Sequence, residues 1–263
     1  MKKWAPTKAF GNPNTPLMPN TRLVKMRYTT RFKIDPPQVA SGATDTAPAV
    51  TLHTLYANML NDTDYTSSSI NHAGDGAPNH QPRMYDQWNL FYEFSTVVGS
   101  RIKVKALPQR RITAHKGPGA TDPLIPLIHY DPVYVGILKN RRHVTDATSP
   151  VLKFDDIQEK RMANIRLLKG GNQGGQPVTF NSGWSLKKEP GRSTDIRTKN
   201  AEDNTTWGSG AGLDIPSNNQ RFYHIFAHAG SMTDDEDPSP VTFEVTMDYM
   251  VLLSDLKDVA QSA

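Results

Sequence analysis

Between Val241 and Leu253 every second residue is apolar: Val241, Phe243, Val245, Met247, Tyr249, Val251 and Leu253. A period of two puts successive side chains on opposite faces of an extended chain, so this run predicts a long strand with one buried face; an amphipathic helix would need a period near 3.6. The same alternation opens the chain. In residues 22–34, Val24, Met26, Tyr28, Phe32 and Ile34 share one face, and Lys25, Arg27, Thr29, Arg31 and Lys33 share the other, until Pro36 and Pro37 stop the pattern. Long alternating runs at both ends commit the chain to packed sheets.

Further strands are predicted over 50–60, 132–139, 163–169, 177–188 and 221–229. Residues 84–107 are more complex. Trp88, Phe91, Tyr92 and Ser95 recur at helical spacing, with Asp86 where a carboxylate suits the helix dipole. After Gly99 the period drops to two: Ile102, Val104 and Ala106 alternate with Arg101, Lys103 and Lys105. This predicts an aromatic helix, acting as a core plug, followed by a half-basic strand. A short helical turn is expected near Asp155–Lys160, and 61–83, 108–130 and 190–219 read as loops. With 18 Gly and 20 Pro in 263 residues, short strands and punctuated loops fit better than helical bundles. Eight strands with long connections and one or two short helices give an all-β fold: two packed antiparallel sheets, most simply a jelly roll with the first and last strands side by side. The expected division is a basic, Pro-rich arm over 1–20 and one domain over 21–263.

Cysteine is absent, which excludes disulfides and cysteine-bound zinc. No apolar run approaches the roughly 18 residues that span a bilayer, so no membrane insertion is expected, and the N-terminus has no apolar stretch of the kind a signal peptide needs. Charge is distributed unevenly. Residues 1–34 hold Lys2, Lys3, Lys8, Arg22, Lys25, Arg27, Arg31 and Lys33 and no acid before Asp35, which leaves −4 for the rest of a +4 chain. A basic leader on a mildly acidic body suits contact with a polyanion, although a solvated lysine-rich tail has the same composition.

Catalytic chemistry finds little support. His224 and His228 are four apart, which suits a metal on a helix, but their segment reads as a strand, so core or interface histidines are expected. The acidic turn Asp234, Asp235, Glu236 and Asp237 could hold a hard cation or simply be solvated. Gly208–Gly212 lacks the lysine and hydroxyl of a phosphate-binding loop. No enzyme activity, cofactor or metal site is predicted.

The segment YDQWNLFYEFSTVVGSRIKV (85–104) resembles the signature of capsid proteins from circular Rep-encoding single-stranded DNA viruses, the circovirus-like group. YTTRFKI (28–34), RFYHIFAHAG (221–230) and FEVTMDYMVLLSDLKDVAQS (243–262) fit the same family in the same order; the intervening loops do not. The resemblance implies a jelly-roll subunit that self-assembles, in about sixty copies, into an icosahedral shell around circular single-stranded DNA. It also implies a virion protein that passes through the host nucleus, with a host-cell receptor met by the outer loops. The leader here is shorter than the family's arginine-rich arm and is built mainly of lysine and proline. DNA contacts are expected first from Lys2, Lys3, Trp4, Lys8 and Phe10 on the arm, then from Arg22, Lys25, Arg27, Arg31 and Lys33. Arg101, Lys103 and Lys105 would extend that surface if their strand neighbours the first; otherwise they form a solvated face or inter-subunit salt bridges. The alternatives are the coat protein of a small RNA virus and a non-viral carbohydrate-binding jelly roll.

Overall fold

In the computed structural model the described residues are 21–36, 50–60, 63–64, 81–107, 111–116, 124–129, 133–140, 154–169, 175–188, 206–208, 220–229 and 240–256. The strands are β1 (Thr21–Ile34), β2 (Thr51–Tyr56), β3 (Tyr92–Leu107), β4 (Arg111–Lys116), β5 (Leu124–His129), β6 (Val133–Asn140), β7 (Ala163–Leu168), β8 (Val178–Ser185), β9 (Thr206–Gly208), β10 (Phe222–Ala229) and β11 (Val241–Leu256). Two helices of one turn each, α1 (Tyr85–Asn89) and α2 (Phe154–Gln158), and a 3-10 turn at Leu186–Lys188 complete the described elements.

Eight of the strands form two antiparallel layers, ordered β1-β11-β3-β8 and β2-β10-β6-β7. Numbered along the sandwich alone, these orders are 1-8-3-6 and 2-7-4-5, with the first and last strands adjacent: the jelly-roll arrangement. β1 and β11 pair over all fourteen residues of β1, from Thr21↔Ser254 to Ile34↔Val241. Their apolar faces behave as the alternation predicts. Met26, Tyr28, Phe32 and Ile34 are buried, and so is every alternate residue of β11 from Val241 to Leu253.

The core between the layers also takes Ile102, Val104 and Ala106 of β3, Phe180 and Trp184 of β8, and Tyr223 and Ile225 of β10. Two buried phenols fasten the sheets together. The Tyr249 hydroxyl donates to the Tyr56 carbonyl at 2.6 Å, and the Tyr223 hydroxyl lies 3.1 Å from Ser100 Oγ. Burial drives both phenols well above the ordinary tyrosine range, so they stay neutral. On the far side of the second sheet, Phe154 and Ile157 of α2 cover Leu138 and Phe226, forming a smaller cluster.

Three local expectations are corrected. The helical stripe over 84–98 shrinks to the single turn of α1, and β3 begins at Tyr92, before Gly99. Thr96 and Val97 lie opposite Leu252 and Val251, so pairing with the second half of β11 overrides the helical spacing; β-branched residues suit that outcome. Tyr92 is buried and Trp88 packs against the core, but Phe91 is exposed, so the stripe does not act as a unit. Within 108–130, read as a loop, β4 and β5 pair as a hairpin. Within 190–219, also read as a loop, β9 adds three residues to β3.

Candidate nucleic-acid interface

The outward face of the β1-β11-β3-β8 sheet follows from the parity that buries the core. On β1, Lys25, Arg27, Thr29, Arg31 and Lys33 point away from the sandwich and are exposed. On β3, Arg101, Lys103 and Lys105 point the same way, opposite Ile102, Val104 and Ala106; Arg101 and Lys103 are exposed and Lys105 is half-buried. β11 lies between them: Arg27 and Arg101 both face Asp248, and Arg31 and Lys105 both face Glu244. Among the described residues this face therefore carries seven cations and two acids, a net +5. With strands about 4.8 Å apart, the two basic rows run parallel at about 10 Å, with an acidic rib between them.

The rib engages the rows unequally. Asp248 Oδ1 accepts from Arg27 Nε at 2.7 Å, and its Oδ2 lies 3.0 Å from Lys25 Nζ. Lys105 Nζ and Glu244 are 3.7 Å apart, both partly exposed, a geometry worth little in water. Among the described residues, Arg31, Lys33, Arg101 and Lys103 make no ion pair. A depression of about 780 Å³ opens in this face, lined by Arg27, Arg101 and Lys103 together with Thr246, Asn181 and Ser182. A second, of about 460 Å³, adjoins it and shares Arg101 and Asp248.

The hydrogen bond from Arg27, with help from Lys25, holds the Asp248 carboxyl below the usual carboxylate range. Because the folded value is depressed, this pairing is fully present above the ordinary aspartate value near 4 and is lost as pH falls through the lower folded value. Asp248→Asn should therefore flatten the acid limb of a pH–stability curve slightly. It should also strengthen polyanion binding at neutral pH several-fold by releasing Lys25 and Arg27, as titration with a labelled oligonucleotide would show.

The predicted contacts separate into groups. Arg22 lies on the inward parity of β1, and its guanidinium stacks over Trp88 at 4.8 Å, away from the cationic face. Lys2, Lys3, Trp4, Lys8 and Phe10 lie outside the described residues, as do Asp234–Asp237 and most of the 208–212 segment. β1 and β3 share a sheet as anticipated but are not neighbours, since β11 intervenes. Sequence reading missed Asn181, Ser182 and Thr246. They are ordinary polar residues of alternating strands, and only strand order brings them beside Arg101 and Lys103.

Among the described residues, His53, His224 and His228 are buried. His224 Nδ1 lies 2.9 Å from Thr54 Oγ1, and His228 stacks on Phe154 at 4.4 Å. Four residues apart on a strand, they are roughly 13 Å from each other and cannot share an ion. His53 stacks on Phe32 at 3.6 Å, with Nε2 3.2 Å from Asp64. Among the described residues no three metal-ligating side chains converge, and no helix is long and apolar enough to cross a membrane.

No family model and no curated protein matches the chain. Solved structures do. It is similar to the 60-mer BFDV capsid protein (10% identity, TM-score 0.41, 94% of this chain and 100% of that one). It is similar to a T=1 subviral particle of a Penaeus vannamei nodavirus capsid protein deletion mutant (6%, 0.45, 90% and 98%). A third likeness is to Desmodium yellow mottle tymovirus (11%, 0.36, 100% and 99%). The assignment of the fold rests on the strand order and register of this chain.

Proposed function

We propose that this chain is a structural, non-enzymatic coat subunit that self-assembles into a closed icosahedral shell of about sixty copies and encloses circular single-stranded DNA. The observation that carries the proposal is the net +5 outward face of one jelly-roll sheet, placed directly after a leading segment that contains no acid. The resemblance of residues 28–34, 85–104, 221–230 and 243–262 to circovirus-like capsid proteins supports the same reading and selects DNA. In it, residues 1–20 form an arm that adds Lys2, Lys3 and Lys8 to the inner surface. Neutralising phosphates releases counterions, so affinity for cargo falls steeply with salt. A jelly roll that binds neutral sugars has no use for two rows of cations.

Electron microscopy of the purified protein, followed by nuclease digestion of its extracted cargo, tests the proposal. Uniform closed shells holding DNase-sensitive nucleic acid are expected. Monomers free of nucleic acid would overturn the coat reading, and RNase-sensitive cargo would overturn its DNA part. Deleting residues 1–20 should leave shells that form but hold less nucleic acid; an unchanged ratio of 260 to 280 nm absorbance would remove the arm from packaging.

A further inference from the structure

We propose that the depression on the first sheet is a track for one extended single-stranded polynucleotide running parallel to β3, held through its phosphates alone. The inference rests on the nucleic-acid reading above and specifies how the chain would be gripped. Arg101, Lys103 and Lys105 recur at every second residue, so their side chains leave the sheet about 6.8 Å apart. That pitch is close to the separation of successive phosphates in a stretched single strand, so each of the three cations can meet its own phosphate.

Direction follows from the acids. A polynucleotide lying across the sheet would pass over Asp248 or Glu244, which stand between the two basic rows. One lying along β3 meets the rib only at Asp248, on the edge of the depression, where Lys25 and Arg27 already offset the carboxylate. Among the described residues each row keeps two cations outside the ion pairs, Arg31 and Lys33 on β1 and Arg101 and Lys103 on β3, but only the β3 two line the depression, and Thr29 interrupts the β1 row. On either side of β3, Thr246 of β11 and Asn181 of β8 add neutral hydrogen-bonding side chains to the wall, while Ser182 borders it on the inward parity of Phe180 and Trp184.

Mode of recognition follows from what the wall contains. Tight binding of single strands through their bases uses aromatic platforms on which bases stack. None of the described residues lining this depression has an aromatic ring. Cations, an amide and a hydroxyl read the sugar–phosphate backbone, which is the same for every sequence. The track is accordingly indifferent to base identity.

Salt-dependent binding of a fluorescein-labelled oligothymidylate to the full chain, measured by anisotropy, tests this. For single strands each phosphate contact contributes about 0.7 to the slope of log affinity against log salt. Arg101→Gln and Lys103→Gln should each lower the slope by about 0.7, and the pair by about 1.4. Lys169→Gln, beyond β7 in the other sheet, should leave it unchanged. An abasic oligomer of equal length should bind within about threefold of oligothymidylate, because stacking would otherwise contribute roughly 1–3 kcal/mol per base. All the substituted side chains are exposed, so matched thermal unfolding confirms that the variants are folded. If the wild type binds but the Arg101 and Lys103 slopes are unchanged, or Arg31→Gln alone lowers the slope, the track is wrong while the nucleic-acid reading survives. More than a tenfold loss with the abasic oligomer overturns recognition by phosphate alone. No binding of any oligomer at low salt overturns both.

Discussion

Replacing Arg101, Lys103 and Lys105 together with glutamate should lower affinity for single-stranded DNA on the order of a hundredfold near physiological salt, at about 1 kcal/mol for each lost phosphate contact. Six units of charge change, which takes the described face from +5 to −1. The new carboxylates would stand beside Glu244 and Asp248, so the middle of the sheet would repel a polyanion outright. Fold stability should change much less, because the three side chains point away from a core that Ile102, Val104 and Ala106 fill from the same strand. Like charges facing each other across strands do cost several tenths of a kcal/mol per pair. The matching triple glutamine variant separates that cost from the loss of binding. Shells of the glutamate variant that retain a normal nucleic-acid content would show that cargo is held elsewhere.

Gly136→Ala should destabilise the fold by about 1–3 kcal/mol, the usual cost of forcing volume into a packed interior. Gly136 lies in β6, opposite Phe226 of β10 and Ile165 of β7. A Cβ there would stand 2.8 Å from Cε1 of the Phe226 ring and 2.7 Å from the Asn164 carbonyl oxygen. The ring cannot simply swing aside, because Phe226 is fully buried in the cluster with Phe154 and Ile157 beneath α2. The carbonyl is backbone in a paired strand and can give still less. Glycine is required here by close approach, since the ring of one strand lies over the bare Cα of the next. Urea unfolding should show the midpoint falling with little change in slope. A loss below about 0.5 kcal/mol would mean that the second sheet is looser than its packing indicates.

The two predictions address the two layers separately. The first sheet carries an exposed cationic outward side, and the second buries part of its own outward side under α2. Gly136→Ala should therefore reduce yield and thermal stability without altering the salt slope of whatever folded protein remains. The glutamate variant should do the reverse. Distant sites with no shared partners are expected to act additively, so a variant carrying both changes should show the sum of the two effects.

The sequence by itself determined which residues face the core wherever alternation was long and regular. The inward sets of β1, of β3 beyond Gly99 and of β11 are those its periodicity predicts, because a period of two leaves each side chain only two directions. It also determined the basic identity of the β1 and β3 outward rows. Tertiary structure decided the rest. Trp88, Phe91, Tyr92 and Ser95 have helical spacing, yet the chain turns to strand at Tyr92, since the far half of β11 supplies a hydrogen-bonding partner that no local window contains. Short segments such as β4, β5 and β9 carry too few alternations to stand out from loops.

Strand order was the larger decision. Alternation says which face a residue occupies and nothing about which strand lies beside it. Arg27 and Asp248 are 221 residues apart, and the pairing of β1 with β11 brings them to 2.7 Å, while β11 also stands between β1 and β3. That one placement divides the cationic face into two rows, ties down Lys25 and Arg27, and leaves Arg101 and Lys103 beside Asn181, Ser182 and Thr246. Periodicity is local, whereas adjacency is settled by burying the faces of strands far apart in the chain.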